Sequence, residues 1–216
     1  MLYFKRKTKN QEKVWLGMAK TKDQILTVLD MAYIALFAVI IAVCSWISIP
    51  ATVPFTLQTF AVFAAIGILG GKRGTLSVLV YLLLGAIGVP VFAGFSGGLG
   101  ALFGMTGGYL FGFLFSALAM WLIEKFFGNK TPVLLASMLV GLLVCYVLGT
   151  AWFMLVYTKN NGSITILSTL SMCVFPFIIP DCIKIALSLL VSKKLAPVLK
   201  KFSNKNKSKK NSNANV

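Results

Sequence analysis

Three long stretches of the chain contain no charged residue, and they limit its fold more than any other feature. No Asp, Glu, Lys or Arg occurs in residues 31–71, 74–123 or 131–158. A membrane-spanning helix needs roughly 20 predominantly apolar residues. The first stretch has room for two such helices, the second for two and the third for one, and a sixth ends near Ser192. We therefore predict an all-α integral membrane protein with six transmembrane helices.

The composition excludes a soluble domain of this size. Of the 216 residues, 58% are hydrophobic and 12% are charged. Soluble domains carry about 25% charged residues, because they need a polar exterior. The charge deficit therefore supports a chain that is mostly buried in lipid.

The positions of the basic residues predict the orientation in the membrane. All but two of the 21 Lys and Arg residues lie in segments 5–22, 72–73, 125–130 and 193–210, which share one side of a six-helix topology. By the positive-inside rule this side is the cytoplasm, and both termini lie there. We predict a basic cytoplasmic segment (1–30), a six-helix membrane domain (31–196) and a basic, disordered tail (197–216).

This placement of charge argues against nucleic acid as a partner, because the basic groups follow the membrane topology. The two basic tails either contact anionic lipid head groups or a cytoplasmic partner, or serve only orientation and solubility.

The chain lacks the side chains that most enzymes need. It has no histidine, and its four cysteines form no Cys-x-x-Cys pair. The segment Gly-Gly-Lys-Arg-Gly at 70–74 departs from a phosphate-binding loop, because Arg73 stands where Ser or Thr is required. We therefore expect no catalytic residue, no metal, no cofactor and no ATPase activity.

Asp181 and Lys184 form the main candidate site. The chain has five acidic residues, and Asp181 alone stands inside a strongly apolar run. Positions i and i+3 share a helix face. Ionisable residues in a membrane helix usually meet a ligand, an ion path or each other. The alternative is a helix-start acid after Pro180 that Lys184 neutralises.

Two uncharged connections on the outer side are candidate walls of a cavity. Residues 50–58 contain two prolines and end at Gln58, which either binds a ligand or caps the second helix. Residues 92–108 hold seven glycines and include Phe92 and Ser96, and they suit either ligand binding or tight packing. Trp152 belongs either to an interfacial aromatic belt or to the cavity wall.

The first predicted helix, 31–49, carries Ala35, Ala38 and Ala42. Ala38 and Ala42 make a small-xxx-small pair, which allows another helix to approach closely. This face either docks a partner subunit or packs within the chain.

Several motifs resemble the BioY family of biotin-specific substrate-binding (S) components of energy-coupling-factor (ECF) ABC transporters. They are Val-Pro-Phe-Thr-Leu-Gln-Thr-Phe-Ala-Val at 53–62, Lys-Arg-Gly-Thr-Leu-Ser-Val at 72–78, Leu-Leu-Leu-Gly-Ala-Ile-Gly-Val-Pro-Val-Phe-Ala-Gly at 82–94, Ser-Gly-Gly-Leu-Gly at 96–100 and Thr-Gly-Gly-Tyr-Leu-Phe-Gly-Phe at 106–113. The similarity runs from about residue 35 to 196. It implies a six-helix protein of the bacterial cytoplasmic membrane that binds biotin with high affinity. Its implied partners are a transmembrane coupling protein, which the alanine face would contact, and two ATPases.

The resemblance also implies site residues. The family's Asp-x-x-Lys matches Asp181 and Lys184. We assign Asp181 to a ureido N–H of biotin and Lys184 to its carboxylate. An arrangement with both residues at one end of biotin stays open. The remaining residues that we assign to substrate binding are Tyr109, Gln58, Phe92, Ser96 and Trp152. Ile179-Pro180 replaces the family's Pro-Gly before the aspartate, which leaves the local backbone open.

Three alternatives remain at this point. The chain is an S component for another small vitamin, a proton-coupled secondary transporter that uses Asp181, or a structural membrane protein with an internal ion pair.

Overall fold

The computed structural model describes the backbone of residues 26–213 and the side chains of 26–199, 201 and 202. Most of the predicted N-terminal segment therefore lies outside the described residues, as do positions 214–216.

The described residues are mostly helical. The helices are α1 (Val28–Trp46), α2 (Gln58–Leu69), α3 (Gly71–Ala86), α4 (Leu99–Phe103), α5 (Gly107–Phe127), α6 (Thr131–Asn161), α7 (Ile166–Cys173) and α8 (Phe175–Asn213). Two short strands, β1 (Ser48–Ile49) and β2 (Phe55–Thr56), pair antiparallel between α1 and α2. A 3₁₀ turn, Ala93–Phe95, precedes α4.

Four helical segments in the described part of the chain are long and apolar enough to cross a membrane. They are Val28–Trp46, Gly107–Phe127, Thr131–Asn161 and Ile166–Leu199, the last of which joins α7 to most of α8. Helices α2 and α3 contain 12 and 16 residues, fewer than a full span needs. These helices agree with the predicted all-α membrane protein with several spans. The count of six spans and the cytoplasmic position of the termini stay predictions.

Helices α5 and α6 make the most extensive contact between described elements. Gly112 on α5 faces the backbone of Cys145 on α6, and a Cβ added to it would lie 3.2 Å from the Cys145 Cα. One turn away, Gly149 on α6 faces the ring of Tyr109. Small residues therefore bring the two helices close, as they do in many membrane proteins.

Helix α2 packs against both α3 and α8. Its turn into α3 is a single residue, Gly70, whose φ of 83° favours glycine. The carboxylate of Glu124 accepts a hydrogen bond from the backbone N–H of Gly71, which satisfies a free donor at the start of α3. On the other side, the Ser188 hydroxyl of α8 donates to the Phe60 carbonyl at 2.9 Å.

The last helix begins earlier and ends later than the sequence predicts. It begins at Phe175, so Pro180 lies inside the helix and Asp181 is beyond its first turn. This corrects the interpretation of Asp181 as a helix-start acid. Helical backbone also continues to Asn213, and the disorder that the composition predicts for the tail (197–216) stays a prediction.

The alanine face of α1 is mostly an internal packing surface. Ala38 and Ala42 are 1% and 5% exposed and belong to the main hydrophobic core, while Ala35 is exposed. The structure thus assigns Ala38 and Ala42 to packing within the chain rather than to an accessible docking surface. The sequence could not separate the two, because small residues suit close helix contact in either setting.

Candidate substrate-binding cavity

A cavity of about 400 Å³ lies beside the β1–β2 hairpin and the glycine-rich segment. This volume is within the range of small-molecule sites, ~300–1,000 Å³. Residues of α2, α5, α6, α7 and α8 complete its wall. Most of the lining is apolar, so the few polar groups decide which ligand fits.

Asp181 and Lys184 both line this cavity. They stand one turn apart on α8, and the Lys184 ammonium donates to Asp181 Oδ1 at 2.7 Å. Asp181 is 3% exposed and Lys184 is 4% exposed. A buried acid and base in contact have no net charge, which reduces the cost of keeping either one away from water.

Tyr146 of α6 holds the second oxygen of the same carboxylate. Its hydroxyl donates to Asp181 Oδ2 at 2.6 Å, and its side chain lines the cavity. Each oxygen of Asp181 therefore has a protein donor, one from its own helix and one from a neighbouring helix.

Phe55 connects the hairpin to the ion pair. The Lys184 ammonium lies 4.1 Å from the centre of the Phe55 ring, within the distance of a cation–π contact. The Phe55 ring also stacks on Phe177 of α8, with 5.6 Å between ring centres. The hairpin thus covers the ion pair through an aromatic contact.

Gln58 and Phe92 line the cavity near α3. The Gln58 amide donates to the Tyr81 hydroxyl at 3.0 Å, and Gln58 is the first residue of α2. Phe92 meets the Tyr81 ring edge-on at 5.5 Å between centres, and it packs against Gly85, where a Cβ would overlap its ring. Tyr81 therefore contacts both cavity residues, through a hydrogen bond to Gln58 and a ring contact with Phe92.

Ser96 and Tyr109 line the cavity as well. The Ser96 hydroxyl donates to the Ala93 carbonyl at 2.8 Å, which closes the turn after Phe92. The Tyr109 hydroxyl donates to the Cys173 carbonyl at 3.2 Å and so ties α5 to the end of α7.

Trp152 is the one predicted binding residue that does not line the cavity. Its indole N–H donates to the Gly104 carbonyl at 3.0 Å, and its ring packs near Phe103 and Phe111. Because Gly104 itself lines the cavity, Trp152 supports the glycine-rich segment from behind. The structure brings together the other predicted binding residues, namely Asp181, Lys184, Tyr109, Gln58, Phe92 and Ser96.

Sequence reasoning missed Tyr146, Phe55, Cys145 and Phe177 as neighbours of the site. Tyr146 offered one signal, since it is a hydroxyl-bearing residue in the middle of a long apolar segment, away from the helix ends where tyrosine is usual. The other three are apolar, and their sequence positions do not distinguish a cavity wall from a core.

Comparisons with known proteins agree on one family. The model of the BioY family matches residues 18–201. A biotin transporter BioY from Thermotoga maritima is 43% identical over 162 residues, which cover 74% of this chain and 91% of the relative. A probable biotin transporter BioY from Pyrococcus horikoshii is 37% identical over 167 residues, covering 77% of this chain and 95% of the relative.

A solved structure agrees with the sequence relatives. It is a crystal structure of the S-component for biotin from an ECF-type ABC transporter, with a TM-score of 0.69 and 29% identity. The match covers 78% of this chain and 90% of the solved chain. The family model, the relatives and the shared fold lead to one conclusion: this chain belongs to the BioY family.

Proposed function

We propose that this chain is the biotin-binding S component of an ECF-type ABC transporter and takes part in biotin uptake. Its relatives are named biotin transporters, and the similar solved structure is an S-component for biotin. The observation that carries the proposal is the cavity of about 400 Å³ with one buried ion pair in an otherwise mostly apolar lining. Biotin offers matching chemistry, with an apolar ring system and chain between a ureido group and a carboxylate.

The geometry favours an arrangement in which Asp181 and Lys184 hold the same end of biotin. Their charged groups are 2.7 Å apart. The ureido group and the carboxylate of extended biotin are separated by on the order of 10 Å, from standard bond lengths. One ligand therefore spans the two residues only by folding back on itself.

The ureido group is the end that suits this pair. It is neutral and carries N–H donors beside a carbonyl acceptor, so Asp181 would accept from an N–H while Lys184 donates to the carbonyl. A carboxylate at the same place would bring a second negative charge next to Asp181 in a buried site, which is costly. Tyr109, Gln58, Phe92 and Ser96 would enclose the rest of the ligand.

We also infer the membrane topology and the partners of the chain. Six membrane crossings in the bacterial cytoplasmic membrane, with both termini in the cytoplasm, follow from the charge-free stretches and the positive-inside rule. A transmembrane coupling protein and two ATPases would supply the energy, since the chain carries no phosphate-binding loop. No cofactor is needed, because biotin is the transported substrate.

Uptake of labelled biotin in cells tests this function. Cells that lack other biotin transport would express the chain with or without an ECF coupling protein and its ATPases. Uptake that needs active ATPases and persists with an uncoupler supports the proposal. Uptake that an uncoupler abolishes would support a proton-coupled transporter using Asp181, and uptake of another vitamin alone would support a different S component.

A further inference from the structure

We propose that Tyr146 is a positioning residue that fixes the Asp181 carboxylate for an N–H donor of the ligand. This inference rests on the proposed function, since it assigns a role within the same cavity. The Tyr146 hydroxyl donates a 2.6 Å hydrogen bond to Asp181 Oδ2.

Lys184 alone does not define the plane of the carboxylate. The terminal torsion of an aspartate is broad and roughly two-fold, so one contact at Oδ1 leaves rotation possible. Lys184 also reaches Asp181 through a flexible four-carbon stem from the same helix. A second donor at Oδ2, from a stiff ring on α6, fixes the plane.

Tyr146 is partly buried and packs against the main hydrophobic core. It follows Cys145, which is buried and packs against Gly112 of α5. The close contact between α5 and α6 therefore fixes the backbone position of Tyr146. From there the Tyr146 hydroxyl extends to Asp181 on α8. The arrangement links three helices to the orientation of one carboxylate.

The fixed carboxylate favours one chemical class of ligand group. A carboxylate has about four acceptor positions, and Tyr146 and Lys184 use two of them. Because Asp181 lines the cavity, a remaining position can accept from a ligand N–H, such as that of a cyclic urea. An analogue that is methylated at the ureido nitrogens lacks that N–H and would gain nothing from the fixed orientation.

The test compares Tyr146→Phe with the matched control Tyr157→Phe. Both changes remove one phenol hydroxyl from α6, but Tyr157 stacks on Phe153 and does not line the cavity. Equilibrium binding to the purified full chain would use biotin, biotin amide and biotin methylated at the ureido nitrogens. We expect Tyr146→Phe to weaken biotin and its amide by about tenfold each, the effect of one hydrogen bond, and the methylated ligand by less than about threefold. Tyr157→Phe should change none of them by more than about twofold.

A second measurement places the effect on Asp181. In an Asp181→Asn background, where Lys184 takes the single oxygen, adding Tyr146→Phe should change the biotin Kd by less than about twofold. Equal losses for all three ligands, or an undiminished loss in the Asp181→Asn background, would overturn the positioning role. Wild-type protein that binds none of the ligands would refute the proposed function, whereas equal biotin binding by wild type and Tyr146→Phe would refute this inference alone.

Discussion

Replacing Lys184 by methionine should separate the contribution of the ion pair to folding from its contribution to binding. Methionine keeps an unbranched apolar stem of similar length but removes the charge. Asp181, which is 3% exposed, then keeps the Tyr146 hydroxyl but loses its positive partner. Removing one member of a buried ion pair typically costs ~3–5 kcal/mol. We expect the free energy of unfolding of the ligand-free protein to fall by about that amount.

The double variant Asp181→Asn/Lys184→Met provides the contrast. It removes both charges, so no buried charge is left without a partner, and stability should return to within about 1–2 kcal/mol of wild type. Biotin binding should not return. Loss of a charge-assisted hydrogen bond is worth about 1.5–3 kcal/mol, or roughly 10- to 150-fold in Kd.

Equilibrium unfolding in detergent and biotin titration of the same samples would measure both quantities. Lys159→Met is the matched control, because Lys159 is exposed at the end of α6 and should change stability by less than about 0.5 kcal/mol. If the pair holds the ureido end, biotin and biotin amide lose affinity equally in Lys184→Met. A double variant that is as unstable as Lys184→Met, or that binds biotin like wild type, would refute the reasoning.

Two further substitutions test the packing of the cavity and of α1. Ala38→Leu should destabilise the protein by about 1–3 kcal/mol, because Ala38 is 1% exposed in the core. The control Ala35→Leu, on the exposed face of the same helix, should change stability little. Equal thermal stability of the two variants in detergent would contradict the assignment of Ala38 to internal packing. Phe55→Leu should lower the free energy of unfolding by about 0.5–2 kcal/mol through loss of the contact with Lys184, measured by the same equilibrium unfolding. The effect should shrink in a Lys184→Met background, and an unchanged effect there would exclude the cation–π contact as its cause.

The sequence predicted the helical membrane fold well, because long stretches without charge are incompatible with the polar exterior that a soluble fold needs. It also singled out Asp181 and Lys184, since an acid in an apolar run is conspicuous. It placed the start of the last helix wrongly, because proline is common in a first helical turn but is also tolerated inside membrane helices, where neighbouring groups satisfy the freed backbone.

Contacts between distant segments were beyond the reach of sequence patterns. Nothing in the spacing of Tyr146 and Asp181 indicates that α6 and α8 bring the two side chains within 2.6 Å of each other. Ala38 and Ala42 suit docking of a partner subunit as well as packing within the chain, and the two cases differ only in which helix lies against them. Trp152 likewise carries no local sign that it supports the cavity wall from behind.

Equilibrium binding of biotin to the purified chain, without any partner subunit, tests the central claim most directly. The proposed S component should bind biotin with a Kd well below micromolar, and thiamine or riboflavin at the same concentrations should not compete. Absence of biotin binding below micromolar concentration, or tighter binding of another vitamin, would contradict the assignment of the cavity to biotin.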